Sequence, residues 1–178
     1  MEIPLVKLKA ILLYLAENTD PKFFGKVKLM KLLYFIDFNH VKRYGLPITG
    51  DNYINMEHGP VPSVIKNLIY SVATEPDEAL LADTIGFEHK PGNKIHRIVP
   101  VRKFSQKDKD LFSDSEIEIL ENVSKRFYSA NKETIETAAH KEGPWSTTDE
   151  LDYIPYWLAA LDADSRFTQE EIKFNLSL

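Results

Sequence analysis

The 178-residue sequence predicts an α+β fold, mainly α: a compact helical domain around a central hydrophobic helix, with a small β-hairpin and short antiparallel strands. Three observations carry this. The stretch Val27–Tyr44, VKLMKLLYFIDFNHVKRY, is apolar or aromatic at eleven of eighteen positions, too many for a solvated helix. Apolar residues recur at helical spacing over most of the rest, with capping-box patterns at Ser113–Glu116 and Thr168–Glu171. The remaining segments alternate apolar with polar residues and are punctuated by glycine and proline.

In chain order, Leu5, Leu8, Ile11, Leu12 and Leu15 define a first helix over 4–17, ended by Asn18-Thr19-Asp20-Pro21. The central helix follows. Its apolar arc fills more than half the circumference, so neighbours are expected on several sides. Asp37 and His40 fall within that arc, three residues apart, where their side chains can meet. Leu32 and Phe35 lie instead among Lys28, Lys31 and Lys42. Either another element covers that side, or the two residues are an exposed anchor for a partner or a second copy. Gly45 is placed to end the helix, since glycine adopts the left-handed conformation readily.

Leu46–Thr49 and Tyr53–Met56 read as extended, with the turn residues Gly50-Asp51-Asn52 between them. His58-Gly59-Pro60-Val61-Pro62 forms a rigid corner before a helix over 62–73. A hairpin is expected over 84–101, turning at Lys90-Pro91-Gly92-Asn93, with Pro100 marking an edge strand. Residues 102–112 are linker-like. A helix then runs from the Ser113 cap through Tyr128, with Glu121 and Lys125 spaced for an exposed ion pair. Asn131 caps a shorter helix to about His140, closed by Gly143-Pro144-Trp145. Tyr153–Leu161 reads as a short apolar helix, and Thr168 opens a last one. The sequence thus divides into N-terminal helices (4–44), an extended segment and helix (46–73), the hairpin (84–101) and C-terminal helices (114–178), all in one domain.

Composition narrows the function classes. The 43% hydrophobic and 28% charged content supports a core without staples. With no cysteine there are no disulfides, thiolate metal sites or cysteine nucleophiles, which fits a reducing cytoplasm. Met1 leads into a short amphipathic helix without signal-peptide design, and no apolar run is long enough to span a membrane. A net charge of −5 disfavours non-specific nucleic-acid binding, although Lys22 to Lys42 holds most of the candidates for a local basic strip.

Catalytic patterns are missing. No metal-ligand spacing joins His40, His58, His89, His96 and His140, and neither a phosphate loop nor a nucleophile elbow is present. No metal or cofactor is expected. Asp37 with His40, joined by His58 or His140, is the candidate acid–base group, and an enzyme built on Asp37, His58 and His140 requires those side chains to converge. The stronger reading of Asp37 and His40 is a hydrogen-bonded polar pair that fixes helix packing.

Three segments together resemble the Panacea, or SocA-like, antitoxin domain. Lys31-Leu32-Leu33-Tyr34 followed by Asp37 is similar to its K-L-L-Y-x-x-D helix. Gly50 and Tyr53 ahead of His58-Gly59-Pro60-Val61 resemble its next segment. Ala139-His140-Lys141-Glu142-Gly143-Pro144-Trp145 resembles its C-terminal signature. The resemblance covers most of residues 5–165. It implies a mostly helical, cytoplasmic domain encoded beside a toxin in bacteria or phages. Such a domain binds the toxin protein directly, and in at least one relative delivers it to a protease. It implies no catalytic site.

Three functions follow for testing. The first is an antitoxin gripping its toxin through Phe35, Tyr53, Met56 and Trp145, chosen as aromatic or flexible apolar residues. The second is a transcriptional regulator using the Lys28–Arg43 face. The third is a small hydrolase-like enzyme built on Asp37, His58 and His140.

Overall fold

Helix α2, Lys26–Tyr44, is wrapped by the rest of the chain, and fourteen of its nineteen residues are buried. The protein is seen here as a computed structural model, which describes residues 3–88 and 97–178. Helix α1, Leu5–Glu17, precedes α2. Gly45 ends α2 at φ +81°, and its N–H reaches Val41 O at 2.9 Å. The sequence expectation holds at both ends of this rod. Leu32 and Phe35 are fully covered: Phe127 of helix α5 (Asp114–Phe127) packs its ring 4.6 Å from that of Phe35.

The extended segment yields a minimal sheet. Strand β1, Tyr53–Ile54, lies between β2, Val61–Pro62, and β5, Tyr153–Ile154, antiparallel to both. Tyr53 pairs with Pro62 and Ile154, and Ile54 with Val61 and Tyr153. Helix α3, Ser63–Thr74, continues directly from β2. Strands β3, Ile85–Glu88, and β4, Arg97–Pro100, pair antiparallel with Ile85 opposite Pro100. The expected turn at 90–93, together with His89 and His96, lies outside the described residues.

Capping chemistry organises the C-terminal half. Ser113 and Glu116 form the expected box at α5, and Thr168 and Glu171 form the one at α8, Gln169–Leu176. Asn131 caps α6, Lys132–His140. One hydrophobic cluster runs from Leu8 through α2 to Ile172.

Four expectations need correction. The linker 102–112 contains a helical turn, α4, Gln106–Lys109, capped by Ser105 and Asp108. Arg102 grips Asp108 with two nitrogens at 2.6 Å, which holds that carboxyl well below the usual range. Gly143-Pro144-Trp145 does not merely close α6; it forms the short turn α7, Gly143–Ser146. Tyr153–Leu161 is not one helix. Pro155 lacks an N–H and disfavours helix at Ile154, so strand β5 comes first and a 3-10 helix, Tyr156–Leu161, follows. Glu121 and Lys125 form no ion pair; Arg43 and Tyr44 engage Glu118 on the same helix instead.

Candidate functional site

Asp37 is the polar hub of the core, and its side chain is completely buried. Oδ1 accepts the backbone N–H groups of Ile48 (2.8 Å) and Thr49 (2.7 Å). Oδ2 accepts the hydroxyls of Thr49, Tyr53 (2.8 Å) and Tyr156 (3.1 Å). Burial raises its pKa, against the lowering effect of those donors. Asp37 therefore ties the extended segment after Gly45 and the 3-10 helix to α2. Asp51 does the same for α3, which has no cap of its own. Its carboxylate accepts the N–H of Val64 (3.1 Å) and of Ile65 (2.7 Å) from outside the helix.

These bonds exclude the meeting of Asp37 with His40. His40 donates from Nδ1 to Leu46 O and accepts at Nε2 from Ser115. Nor do they join Asp37 to the other two histidines: Asp37 shares no hydrogen bond with His58 or His140, and His58 is exposed. Among the described residues, no three His, Asp or Glu side chains are grouped to hold a metal ion. Among them, too, no helix is long and apolar enough to cross a membrane.

A second polar cluster forms where the three motif segments meet, around Gly59. The backbone there is left-handed, φ +90°, and a Cβ on Gly59 would lie 3.0 Å from Lys31 Cε and 3.5 Å from His140 Nε2. Glycine is required twice over, for conformation and for space. Lys31, only 2% exposed, donates to Pro60 O at 3.0 Å. His140 stacks on Trp145 with ring centres 4.0 Å apart. His140 Nε2, Trp145 Nε1 and Glu136 Oε1 are buried without a hydrogen-bond partner among the described residues. Gly50, Pro60 and Pro144 are also buried, and Val61 half-buried, so these motif positions shape the frame.

Burial lowers the His140 pKa below 6.5; Lys31 and His58 add to this, and Glu136 opposes it. The unfolded chain therefore takes up a proton before the folded one, and stability is lost as pH falls below 6.5. The acid-side drop in melting temperature should shrink in His140→Phe. An equal drop in both proteins would remove this assignment.

The inner lysines of the basic strip do not face solvent. Lys28, Lys31 and Lys42 are each 2% exposed. Lys28 donates to Tyr128 O at 2.9 Å. Lys42 contacts Glu142 and lies 2.7 Å from Asp162 Oδ2, while Asp162 Oδ1 accepts the N–H of Gly143 at 2.6 Å. These three lysines are thus internal, held by carbonyls and carboxylates, whereas Lys22 is exposed and Lys26 and Arg43 are half-buried.

Of the four expected partner contacts, Phe35 (0% exposed) and Tyr53 (1%) are corrected to core positions. Phe35 is covered by α5, and Tyr53 is turned inward by its bond to Asp37. Met56 and Trp145 are half-buried near the surface. Asn55 links their neighbourhoods by donating to the Trp145 (3.2 Å) and Thr148 (2.6 Å) carbonyls.

The most exposed apolar face nearby went unread in the sequence. Tyr53, Pro62 and Ile154 fill the inner side of the small sheet, so Val61, Ile54 and Tyr153 form a row on its outer side. Tyr153 is 62% exposed, and Leu151, just before it, is 68% exposed at φ +71°. A left-handed leucine is strained. The Leu151 N–H donates to Asn55 O at 2.8 Å, which holds it there. Reading Tyr153 into a helix hid this face; Pro155 was the available signal.

Comparison with known proteins gives one match. Residues 29–146 match the family described as Antitoxin SocA-like, Panacea domain. All eighteen motif positions, from Lys31 to Trp145, fall inside that span. No curated protein and no solved structure matches the chain.

Proposed function

Because the chain belongs to the antitoxin SocA-like, Panacea domain family, we propose that it is a protein-binding antitoxin. It neutralises a cognate toxin, encoded nearby, by direct contact in the cytoplasm, and carries out no chemistry of its own. The observation that carries this reading is the division of labour among its residues. Most motif side chains are spent inside, on the Asp37 and Gly59 clusters, while an apolar row is left outside on a sheet too small to need it. Exposed aromatic and aliphatic groups beside a polar rim are what a protein interface requires. Tyr153, Leu151, Met56 and Trp145 are the proposed contacts.

The test is co-expression with the adjacent open reading frame. The neighbour should arrest growth alone and be silenced by this protein. A harmless neighbour, or one that stays toxic, overturns the reading. Toxin abundance separates occlusion from delivery to a protease, since delivery lowers it.

The strained leucine gives a sharper readout. Leu151→Gly relieves a left-handed side chain and should raise stability by about 1 kcal/mol. The same substitution removes an exposed apolar contact and should weaken neutralisation. A protein that is stabilised yet neutralises fully would remove Leu151 from the interface.

A further inference from the structure

A groove of about 600 Å³ opens at the start of α2, lined by none of the residues of the sheet face. Its walls carry Lys22, Lys26, Lys28 and Lys132 against one carboxylate, Glu133, in a chain whose net charge is −5. Between the lysines lie Phe23, Val27 and Tyr70. Val27 and Tyr70 are exposed at 37% and 43%. Among the described residues, no carboxylate comes within 4.0 Å of Lys22, Lys26 or Lys28 in an ion pair. The Asp20 carboxylate accepts the backbone N–H of Lys22. The first turn of α2 adds to the positive field, because it has neither an acidic residue nor a side-chain cap.

Lys22 and Lys26 are held by rings rather than by acids, whereas Lys28 reaches the Tyr128 carbonyl and Lys132 lies 3.7 Å from Glu136 on its own helix. Lys26 Nζ lies 4.2 Å from the Tyr70 ring centre and 4.6 Å from that of Phe87, and Lys22 Nζ lies 5.1 Å from Phe23. Those ring faces are therefore occupied and are not free to stack a nucleotide base. What the groove offers is fixed ammonium groups around an apolar floor. Carboxylates spaced around an aliphatic or aromatic side chain complement it on both counts.

We propose that this groove docks an acidic segment of the protein partner, with carboxylates on Lys22, Lys26 and Lys132 and an apolar side chain between Phe23, Val27 and Tyr70. The proposal rests on the protein-binding function and gives that partner a chemistry. The sheet face supplies apolar contact. The groove supplies attraction and orientation, and an acidic chain would repel the same segment elsewhere.

The probe is a fluorescein-labelled peptide, Glu-Glu-Leu-Glu-Glu-Leu, followed by anisotropy with the full chain. A peptide with glutamine for glutamate is the control. Binding is expected at low salt and should weaken by about tenfold in the double variant K26E/K132E. It should persist in K26R/K132R and fade as salt shortens the screening length to about 8 Å. Circular dichroism checks that both variants are folded; glutamate at position 26 suits a helix start. No binding at low salt, equal binding by K26E/K132E, or tighter binding of ATP or a single-stranded oligonucleotide overturns the proposal. Neutralisation by a wild-type chain that ignores the peptide removes the groove alone. Peptide binding lost in K26E/K132E, by a chain that neutralises nothing, keeps the groove and removes the antitoxin reading.

Discussion

Asp37→Ala should unfold this protein or leave it barely folded. The carboxylate takes the N–H groups of Ile48 and Thr49 on one oxygen, and the hydroxyls of Thr49, Tyr53 and Tyr156 on the other. Tyr156 has a second acceptor in Asp51 O at 2.6 Å, so four donors are left with nothing. Each buried orphan costs about 1–3 kcal/mol, giving a loss of at least ~4 kcal/mol before any cavity is counted. That compares with the ~5–15 kcal/mol that holds a typical domain together. Asp37→Asn is the informative partner. Its amide oxygen can keep both backbone donors, and its nitrogen can donate to hydroxyls that rotate to accept. The expected order in urea midpoints is wild type, then Asn about 1–2 kcal/mol lower, then Ala far below. Equal midpoints for Asn and Ala would mean that the hub is held by packing and not by hydrogen bonds.

This hub also marks how far the sequence could be read. The helices were legible because their signals are local: apolar spacing in α1, α2 and α3, Gly45 after α2, and the boxes at Ser113 and Thr168. Asp37 stood out as a polar residue in an apolar arc, but its partners did not. Thr49, Tyr53 and Tyr156 reach it from three separate segments, and no spacing rule links position 37 to position 156. Strand β5 was missed for the same reason, since it pairs with β1, about a hundred residues earlier. The lysines of α2 misled because lysine is usually solvated. Here Lys28 and Lys31 reach backbone carbonyls and Lys42 reaches carboxylates, all inside. Tyr53 was readable either way, as core or as a partner contact, and the bond to Asp37 turns it inward.

Lys31→Met should make the protein more stable. Burial lowers the Lys31 pKa from 10.5 to about 8; Lys132 adds to the effect, and Glu136 opposes it. The unfolded chain keeps its proton up to 10.5 and the folded chain only to about 8, so folding releases a proton between those values. Stability from this group therefore rises with pH across that window and is lowest at neutrality. With one pKa unit worth about 1.4 kcal/mol, the charged form costs the fold about 3 kcal/mol near pH 7. Methionine has similar length and no charge to bury, and it gives up a single bond to Pro60 O. Between pH 7 and about 9.5 the wild type should gain ~2 kcal/mol that Lys31→Met does not. Tyr34, Tyr53 and Tyr156, whose pKa values lie well above 10, work in the opposite direction at higher pH, which sets the upper limit of the measurement. A variant less stable than wild type at pH 7, with an unchanged alkaline rise, would show that the ammonium is well solvated. If the variant is stabilised but no longer neutralises the toxin, Lys31 is kept for function: a buried cation beneath Gly59 that the fold alone would discard.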